Sequence, residues 1–233
     1  MPDPQAVRSM FARIAPAYDL LNRTLSLGID QRWRRAAIAC AGEVRGRTVV
    51  DSCCGTGDLS LALAARGARV VGVDFTREMV DRARAKAARR AARPVFVRGD
   101  ALRLPLASGS ADAATVAFGI RNVADRRRGL DEMRRVVRPG GRVVVLEFGT
   151  PRRGVFGALY RLYFTRVLPW LGRRVSGDAD AYSYLPRSVL AWPDPETLRR
   201  EMEELGFTEC AFRPLTRGIA FLHWGNAPVG KAR

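Results

Sequence analysis

Three apolar runs rich in β-branched residues each end in a carboxylate and a turn: Val49-Val50-Asp51, Val70-Val71-Gly72-Val73-Asp74 and Val95-Phe96-Val97-Arg98-Gly99-Asp100. Short apolar runs of this kind read as buried parallel strands, and repeating them with helices between allows few architectures. After the first run, Ser52-Cys53-Cys54-Gly55-Thr56-Gly57-Asp58 makes a tight turn that opens a helix. Gly55 and Gly57 let the backbone reverse and approach a ligand closely. Leu59, Leu61 and Leu63 continue into an alanine-rich helix whose first amides face that ligand. A glycine turn also occurs as a plain connector; the acid-ended strands that follow give this one its weight.

Residues 5–45 read as a helical preface broken at Pro16, with Tyr18-Asp19 and Asn22 as its polar features and Trp33 and Ile38 among its apolar ones. Thr76 is expected to cap a helix from about Arg77 to Ala91. The third strand spans 94–101, and residues 111–118 supply a fourth that leads into Gly119-Ile120-Arg121-Asn122. Asp125 opens a helix through Val137, and Arg138-Pro139-Gly140-Gly141 turns the chain into a fifth strand, Arg142 to Leu146, ending at Glu147-Phe148. A wide apolar face over 154–172 reads as a lid or an interfacial helix. A helix over Glu196–Leu205 and a hairpin of Ala211–Leu215 with Ile219–Trp224 follow, then a loose tail over 226–233. The expected architecture is α/β: a doubly wound, mainly parallel seven-stranded sheet with a terminal antiparallel hairpin. It divides into a cap (1–45), a sheet domain (46–225) with a lid insertion at about 152–192, and the tail. In open sheets of this kind the ligand sits at the carboxyl ends of the strands. Asp51, Asp74, Asp100, Arg121 and Glu147 fall at that edge.

Composition narrows the partners. The formal charge is +17, a value that points to nucleic acid or an anionic membrane. Only Lys86 and Lys231 are lysines among the 40 basic residues, and the arginines are scattered as pairs along the chain. With abundant Ala, Gly and Pro, that is the signature of a GC-rich coding sequence, and a membrane surface ranks ahead of nucleic acid. No apolar run approaches the ~20 residues of a membrane span, and Met1–Gln5 lacks the regions of a signal peptide, so a cytoplasmic protein is expected. Cys40, Cys53, Cys54 and Cys210 show no C-x-x-C spacing, and no metal ligand set is expected. Cys53 and Cys54 read as reduced filler, with a thiol tuned by helix amides as the alternative. His223, the sole histidine, reads as a satisfied strand residue.

Two cofactors fit a glycine loop followed by an acid-ended strand: a dinucleotide or S-adenosylmethionine. The dinucleotide fingerprint needs a third glycine where Ser60 stands, and the loop carries no basic residue for a pyrophosphate. Asp58 would repel a phosphate but suits a sulfonium ligand with an amino group. Asp74 stands near the spacing at which an acid meets a ribose. The balance falls on S-adenosylmethionine.

Phe118-Gly119-Ile120-Arg121-Asn122-Val123, the Tyr18-Asp19 preface and Tyr182-Ser183-Tyr184-Leu185 add specificity to a glycine loop and a Pro139-Gly140-Gly141 turn that many methyltransferases share. With Gly99-Asp100-Ala101, Trp33-Arg34 and Gly206-Phe207, the chain over nearly its whole length resembles the ubiquinone/menaquinone biosynthesis C-methyltransferases, and within them the members that act on demethylmenaquinone. The resemblance implies the class I S-adenosylmethionine-dependent methyltransferase fold. It implies that Thr56 and its loop hold the methionine part, Asp74 the ribose hydroxyls and Asp100-Ala101 the adenine, with Asp51, Gly55, Gly57, Phe75 and Phe118 completing the cofactor site. Ala117 departs from a serine presented by some relatives, which leaves only backbone or van der Waals contact there.

The implied reaction moves a methyl group to a ring carbon of a polyprenylated quinol, demethylmenaquinol foremost. A ring carbon becomes nucleophilic when the neighbouring phenol, of pKa ~10, loses its proton. Arg121 is the expected phenolate stabiliser and Asn122 its orienting partner. Tyr18, Tyr182 and Tyr184 would cover the quinol, and Asp58 is a second candidate for the proton acceptor. The implied partners are the quinol and a peripheral membrane surface at the inner face of the cell membrane; a homodimer is left open and nucleic acid is not expected. A methyltransferase of soluble aromatic or polyketide metabolites, a nucleic-acid methyltransferase and a non-catalytic cofactor binder stand as alternatives.

Overall fold

The computed structural model describes residues 3–26, 28–91, 93–151 and 179–229, with Gly157, Leu162 and Arg166; the side chains of Ala17, Leu21, Thr24, Leu25 and residues 179–183 are excepted. Its centre is a seven-stranded sheet of order β3-β2-β1-β4-β5-β7-β6. The strands are β1 (Thr48–Ser52), β2 (Arg69–Asp74), β3 (Val95–Arg98), β4 (Ala111–Ala117), β5 (Val137–Phe148), β6 (Thr208–Leu215) and β7 (Ala220–Asn226). The first five run parallel; β7 is antiparallel to β5 and to β6. Chain order reverses between β1 and β4, and β1 and β4 end at that switch point, the place where an open α/β sheet leaves a crevice for a ligand.

The central strands β1, β4 and β5 are buried on both faces. Val49, Val50, Val143 and Val145 are fully buried. One face is covered by α6 (Arg126–Val136) and by a helix at Pro195–Glu204, which bring Leu130, Met133, Leu198 and Met202 against Val143 and Val145. The other is covered by α3 (Ile29–Cys40) and α4 (Asp58–Ala64), whose Ile38, Leu59 and Leu63 pack on Val49 and Val70. Trp33 ties α3 to the terminal hairpin, its indole N–H donating to Thr216 Oγ1 at 2.8 Å.

The preface breaks at Pro16 as expected. A single turn at Ala15–Ala17 separates α1 (Pro4–Ile14) from α2 (Tyr18–Leu25). It breaks again at Gly28, whose φ of 74° admits the left-handed turn that starts α3. Several sequence boundaries move. The helix after β2, α5, is Arg77–Ala88, three residues shorter than expected. Thr76 occupies its cap position, but its side chain makes no capping bond. The fifth strand starts at Val137 rather than Arg142, because Arg138–Gly141 crosses a register shift within the strand instead of forming a separate turn. The sixth starts at Thr208. Asn226 pairs with Arg142, and Ala227 N–H donates to Gly141 O at 2.8 Å, so the sheet reaches into the expected tail. A helix at Ala179–Leu190, α7, carries the Tyr-Ser-Tyr-Leu segment, for which no element was foreseen; Pro195–Glu204 is then α8. Except for Gly157, Leu162 and Arg166, the apolar stretch over 154–172 lies outside the described residues.

His223 is not the fully satisfied strand residue expected. Its Nε2 meets Pro195 O at 3.0 Å, but Nδ1 is buried without a partner. Burial lowers its pKa to about 4. The unfolded chain therefore binds a proton that the folded one refuses between pH 6.5 and 4, and this contribution to stability is lost as pH falls through that window. Asp51 works the other way: burial raises it to about 6, so ionisation costs stability as pH rises from 4 to 6. The two slopes oppose each other. His223→Gln should remove one of them, gaining about 2 kcal/mol on the parent between pH 8 and pH 5 in urea titrations. A pH-independent difference would refute the assignment.

Candidate functional site

At the switch point the backbone is held in conformations that side-chain-bearing residues seldom adopt. Cys53, just past β1, has φ 52°, and Phe118, just past β4, has φ 61°. Such strain, of order 1–3 kcal/mol per residue, persists only where surrounding structure enforces it. Gly119 permits the two strand ends to meet: a Cβ at that position would stand 2.3 Å from Cys53 Cβ. Between these strand ends the glycine loop opens one wall of a cavity.

Of the residues expected to bind the cofactor, Gly55, Thr56, Asp74, Phe75, Asp100, Ala101 and Phe118 line this cavity, as does Ala117. Asp74 is fixed by two backbone donors, Gly55 N–H at 2.8 Å and Thr76 N–H at 2.9 Å. Burial raises its pKa, while the amides of Thr76 and Gly55 oppose the shift. Asp100 accepts from Leu102 N–H at 2.9 Å. Phe75 keeps 40% of its surface exposed at the mouth, where Arg8 of α1 lies 5.7 Å from its ring centroid. A carboxylate pinned by amides beside an exposed aromatic ring suits a ribose carrying a flat base.

Asp51 and Gly57 do not line the cavity. Asp51 is buried beneath the loop, accepting from Ser60 Oγ at 2.5 Å and Thr115 Oγ1 at 3.1 Å, and so ties β1 to α4 and β4. Gly57, with φ 84°, presents its Cα to Phe96: a Cβ there would meet Phe96 Cζ at 2.7 Å. Their part is to shape the loop.

Tyr18, Asp58 and Asn122 line the cavity; Arg121 does not. Arg121 Nη1 donates to Phe118 O at 2.7 Å and pairs with Glu147 Oε2 at 2.8 Å, and Glu147 is fully buried. Its Nε is buried without a partner. Asn122 Oδ1 accepts from Tyr184 OH at 3.0 Å, which brings α7 to the strand edge. The side chain of Tyr182 lies outside the described residues. Tyr18 has its pKa raised by burial, opposed by a hydrogen bond with Asn22 and by the fields of Arg34 and Arg121. Asp58 is engaged by Lys86 Nζ: burial raises its pKa, but the ammonium more than offsets this and holds the carboxyl below the usual range. A paired carboxylate of that kind is a weak base.

Two positions at the site, Arg34 and Lys86, were given no role by the sequence. Arg34 lines the cavity, 5.5 Å from the Phe118 ring centroid and 3.6 Å from Asp30. Lys86 reaches the loop from α5. Only its rarity could have marked it, as one of two lysines in the chain. The alternative of a tuned thiol is overturned: burial, reinforced by the Asp74 charge, raises both Cys53 and Cys54.

Solved structures share this architecture. The chain superposes with TM-score 0.69 at 18% identity on an S-adenosylmethionine-dependent methyltransferase of Thermotoga maritima described as a possible histamine N-methyltransferase, covering 95% of this chain and 99% of that one. It also superposes with TM-score 0.68 at 19% identity on a complex between the Haloferax volcanii Trm112 methyltransferase activator and a methyltransferase, covering 94% and 97%. These likenesses speak for the fold alone. Among curated relatives, the demethylmenaquinone methyltransferase of Deinococcus radiodurans is 54% identical over 95% of this chain and 92% of its own length. That of Thermus thermophilus is 51% identical over 94% and 100%. The model of the ubiE/COQ5 methyltransferase family matches residues 2–227, and the chain belongs to that family.

Proposed function

We propose that this protein transfers a methyl group from S-adenosylmethionine to a ring carbon of a polyprenylated quinol, with demethylmenaquinol as the acceptor. The names of the relatives favour that acceptor, and one contact supports it structurally: the hydrogen bond of Tyr184 to Asn122. It joins α7 to the cavity at Asn122, whose lining also includes Phe118, so polar and aromatic groups for a flat ring stand in one cavity. S-adenosylmethionine supplies the electrophilic methyl group; the protein aligns the ring carbon and excludes water.

Asp58 is tied to Lys86, so the phenol proton is not assigned to it. Stabilisation of the phenolate falls to the positive field of Arg34, which lines the cavity, and of Arg121 behind Phe118. The same two fields oppose the rise that burial gives the Tyr18 pKa, and would act in the same direction on a bound phenol. Asn122 contributes an orienting hydrogen bond. Removing one such donor costs roughly 10²-fold in kcat when it acts on developing charge. Asn122→Ala should show a loss of that order with demethylmenaquinol while retaining cofactor affinity by calorimetry. Equal turnover in variant and parent would reject the assignment. Mass spectrometry of the quinol after incubation tests the reaction itself, and methylation of a short soluble phenol in preference to demethylmenaquinol would reject the acceptor.

Because the acceptor is a lipid, the protein meets it at a bilayer. No helix among the described residues is long and apolar enough to cross one. A peripheral encounter driven by the +17 charge is the proposed mode, seen as flotation with anionic liposomes that weakens at high salt.

A further inference from the structure

Lys86 stands out for where its charge goes. From α5 its ammonium donates to Asp19 Oδ2 of the cap at 2.8 Å, to Thr56 Oγ1 of the glycine loop at 3.2 Å, and to Asp58 at the start of α4. Thr56 Oγ1 in turn donates to Asp19 Oδ1 at 2.5 Å. Three oxygens from three segments thus converge on one nitrogen. A tetrahedral ammonium can satisfy three acceptors around a single atom, whereas a planar guanidinium spreads its donors over a fork. That accounts for a lysine at this position in a chain that otherwise uses arginine almost throughout.

Unlike α3, helices α1 and α2 have few other ties among the described residues: Ala15 is buried at the turn between them, and Arg8 lies over the Phe75 ring. α1 buries one side chain, Met10, and Phe11 meets Tyr18 edge-on at 6.1 Å within the cap itself. A segment with so few buried contacts opens at low free energy, so one partly shielded ionic cluster decides how often it does. Thr56, Asp58 and Tyr18, all in or beside the cluster, line the cofactor cavity.

We propose that Lys86 is a positioning residue: it latches the N-terminal helices α1 and α2 onto the glycine loop through Asp19, and so sets the cavity wall against which the methionine end of S-adenosylmethionine binds. The cluster holds two carboxylates and one ammonium, a net charge of −1, complementary to a cofactor whose net charge is +1. This rests on the cofactor of the proposed reaction but not on its acceptor.

Hydrogen exchange of residues 3–26 in the ligand-free protein reads the latch directly. Lys86→Met and Asp19→Asn should each speed exchange there while leaving β1, β4 and β5 protected, and the double variant should be no worse than either single one. Salt should loosen the cap of the parent and leave that of Lys86→Met unchanged. S-adenosylmethionine affinity should fall about tenfold in both single variants. Lys86→Arg should not restore the cap, because its fork cannot serve three acceptors at one point. Parent-like exchange in both single variants, or additive losses in the double variant, would overturn the proposal. Either reading is independent of whether demethylmenaquinol is methylated.

Discussion

Glu147→Ala should lower stability by about 3–5 kcal/mol, the cost of breaking a buried ion pair by removing one partner. Glu147 is fully buried at the end of β5 and accepts from Arg121 Nη1 at 2.8 Å, Phe148 N–H at 3.1 Å and Arg121 N–H at 3.3 Å. The substitution leaves the Arg121 guanidinium inside the protein, facing the Phe148 ring 5.2 Å away, with no carboxylate. For a chain of this size the melting temperature should fall by roughly 6–20 °C. Paired replacement by apolar residues, Arg121→Met with Glu147→Leu, should recover much of that stability, because no buried charge remains. It should not recover activity, since Arg121 also fixes the Phe118 carbonyl beside the cavity. Calorimetric unfolding of the two variants checks the stability statements and a turnover assay of the paired variant checks the last; a loss below about 1 kcal/mol in Glu147→Ala would show that water reaches the pair.

Gly57→Ala should be the most damaging methyl that can be added to the glycine loop. Its φ of 84° costs an alanine about 1–2 kcal/mol, and the new Cβ would stand 2.7 Å from Phe96 Cζ and 3.1 Å from Ala83 Cβ. Overpacking of a core ring adds about 1–3 kcal/mol. The loop must then move, taking Thr56 and Asp58 with it, so cofactor affinity should fall by about 10²-fold or more. Gly55→Ala is the control. It shares a positive φ of 55°, but its Cβ would meet only Tyr18 Cε1, at 3.9 Å. Its stability cost should stop at about 1–2 kcal/mol. Phe96→Leu should partly rescue Gly57→Ala and do nothing for Gly55→Ala, a difference visible in urea titrations.

The contrast between these glycines shows what a sequence carries and what it leaves out. The acid-ended strands, the glycine turn and the hairpin were legible because burial on both faces writes continuous apolar runs and tight turns demand glycine. Asp74, Asp100 and Thr56 follow from that frame, since strand ends at the switch point face the crevice. Asp51 sits at a strand end too, but its side chain points beneath the loop to Ser60 and Thr115, a choice set by the pleat and not by its spacing. Arg121 is similar: the sequence marks the edge of the sheet, while the partner that occupies its guanidinium arrives from β5, 26 residues away. Arg34 reaches the cavity, and Lys86 the glycine loop beside it, from helices whose periodic patterns describe only their apolar faces. The start of β5 was hidden because Pro139-Gly140-Gly141 reads as a turn, and only the pairing of Val137 with Ala111 of β4 and the hydrogen bonds of Gly140 and Gly141 with Ala227 draw it into a strand.

Cys53 and Cys54 line a cavity built for a sulfonium donor, and burial together with Asp74 keeps both sulfurs protonated. A thiolate is a far better methyl acceptor than a quinol carbon, so an ionised cysteine in that wall would compete for the transferable group and alkylate the enzyme. Burial of the two thiols, reinforced by the Asp74 charge that repels a second negative charge beside them, therefore keeps the catalyst from becoming its own substrate.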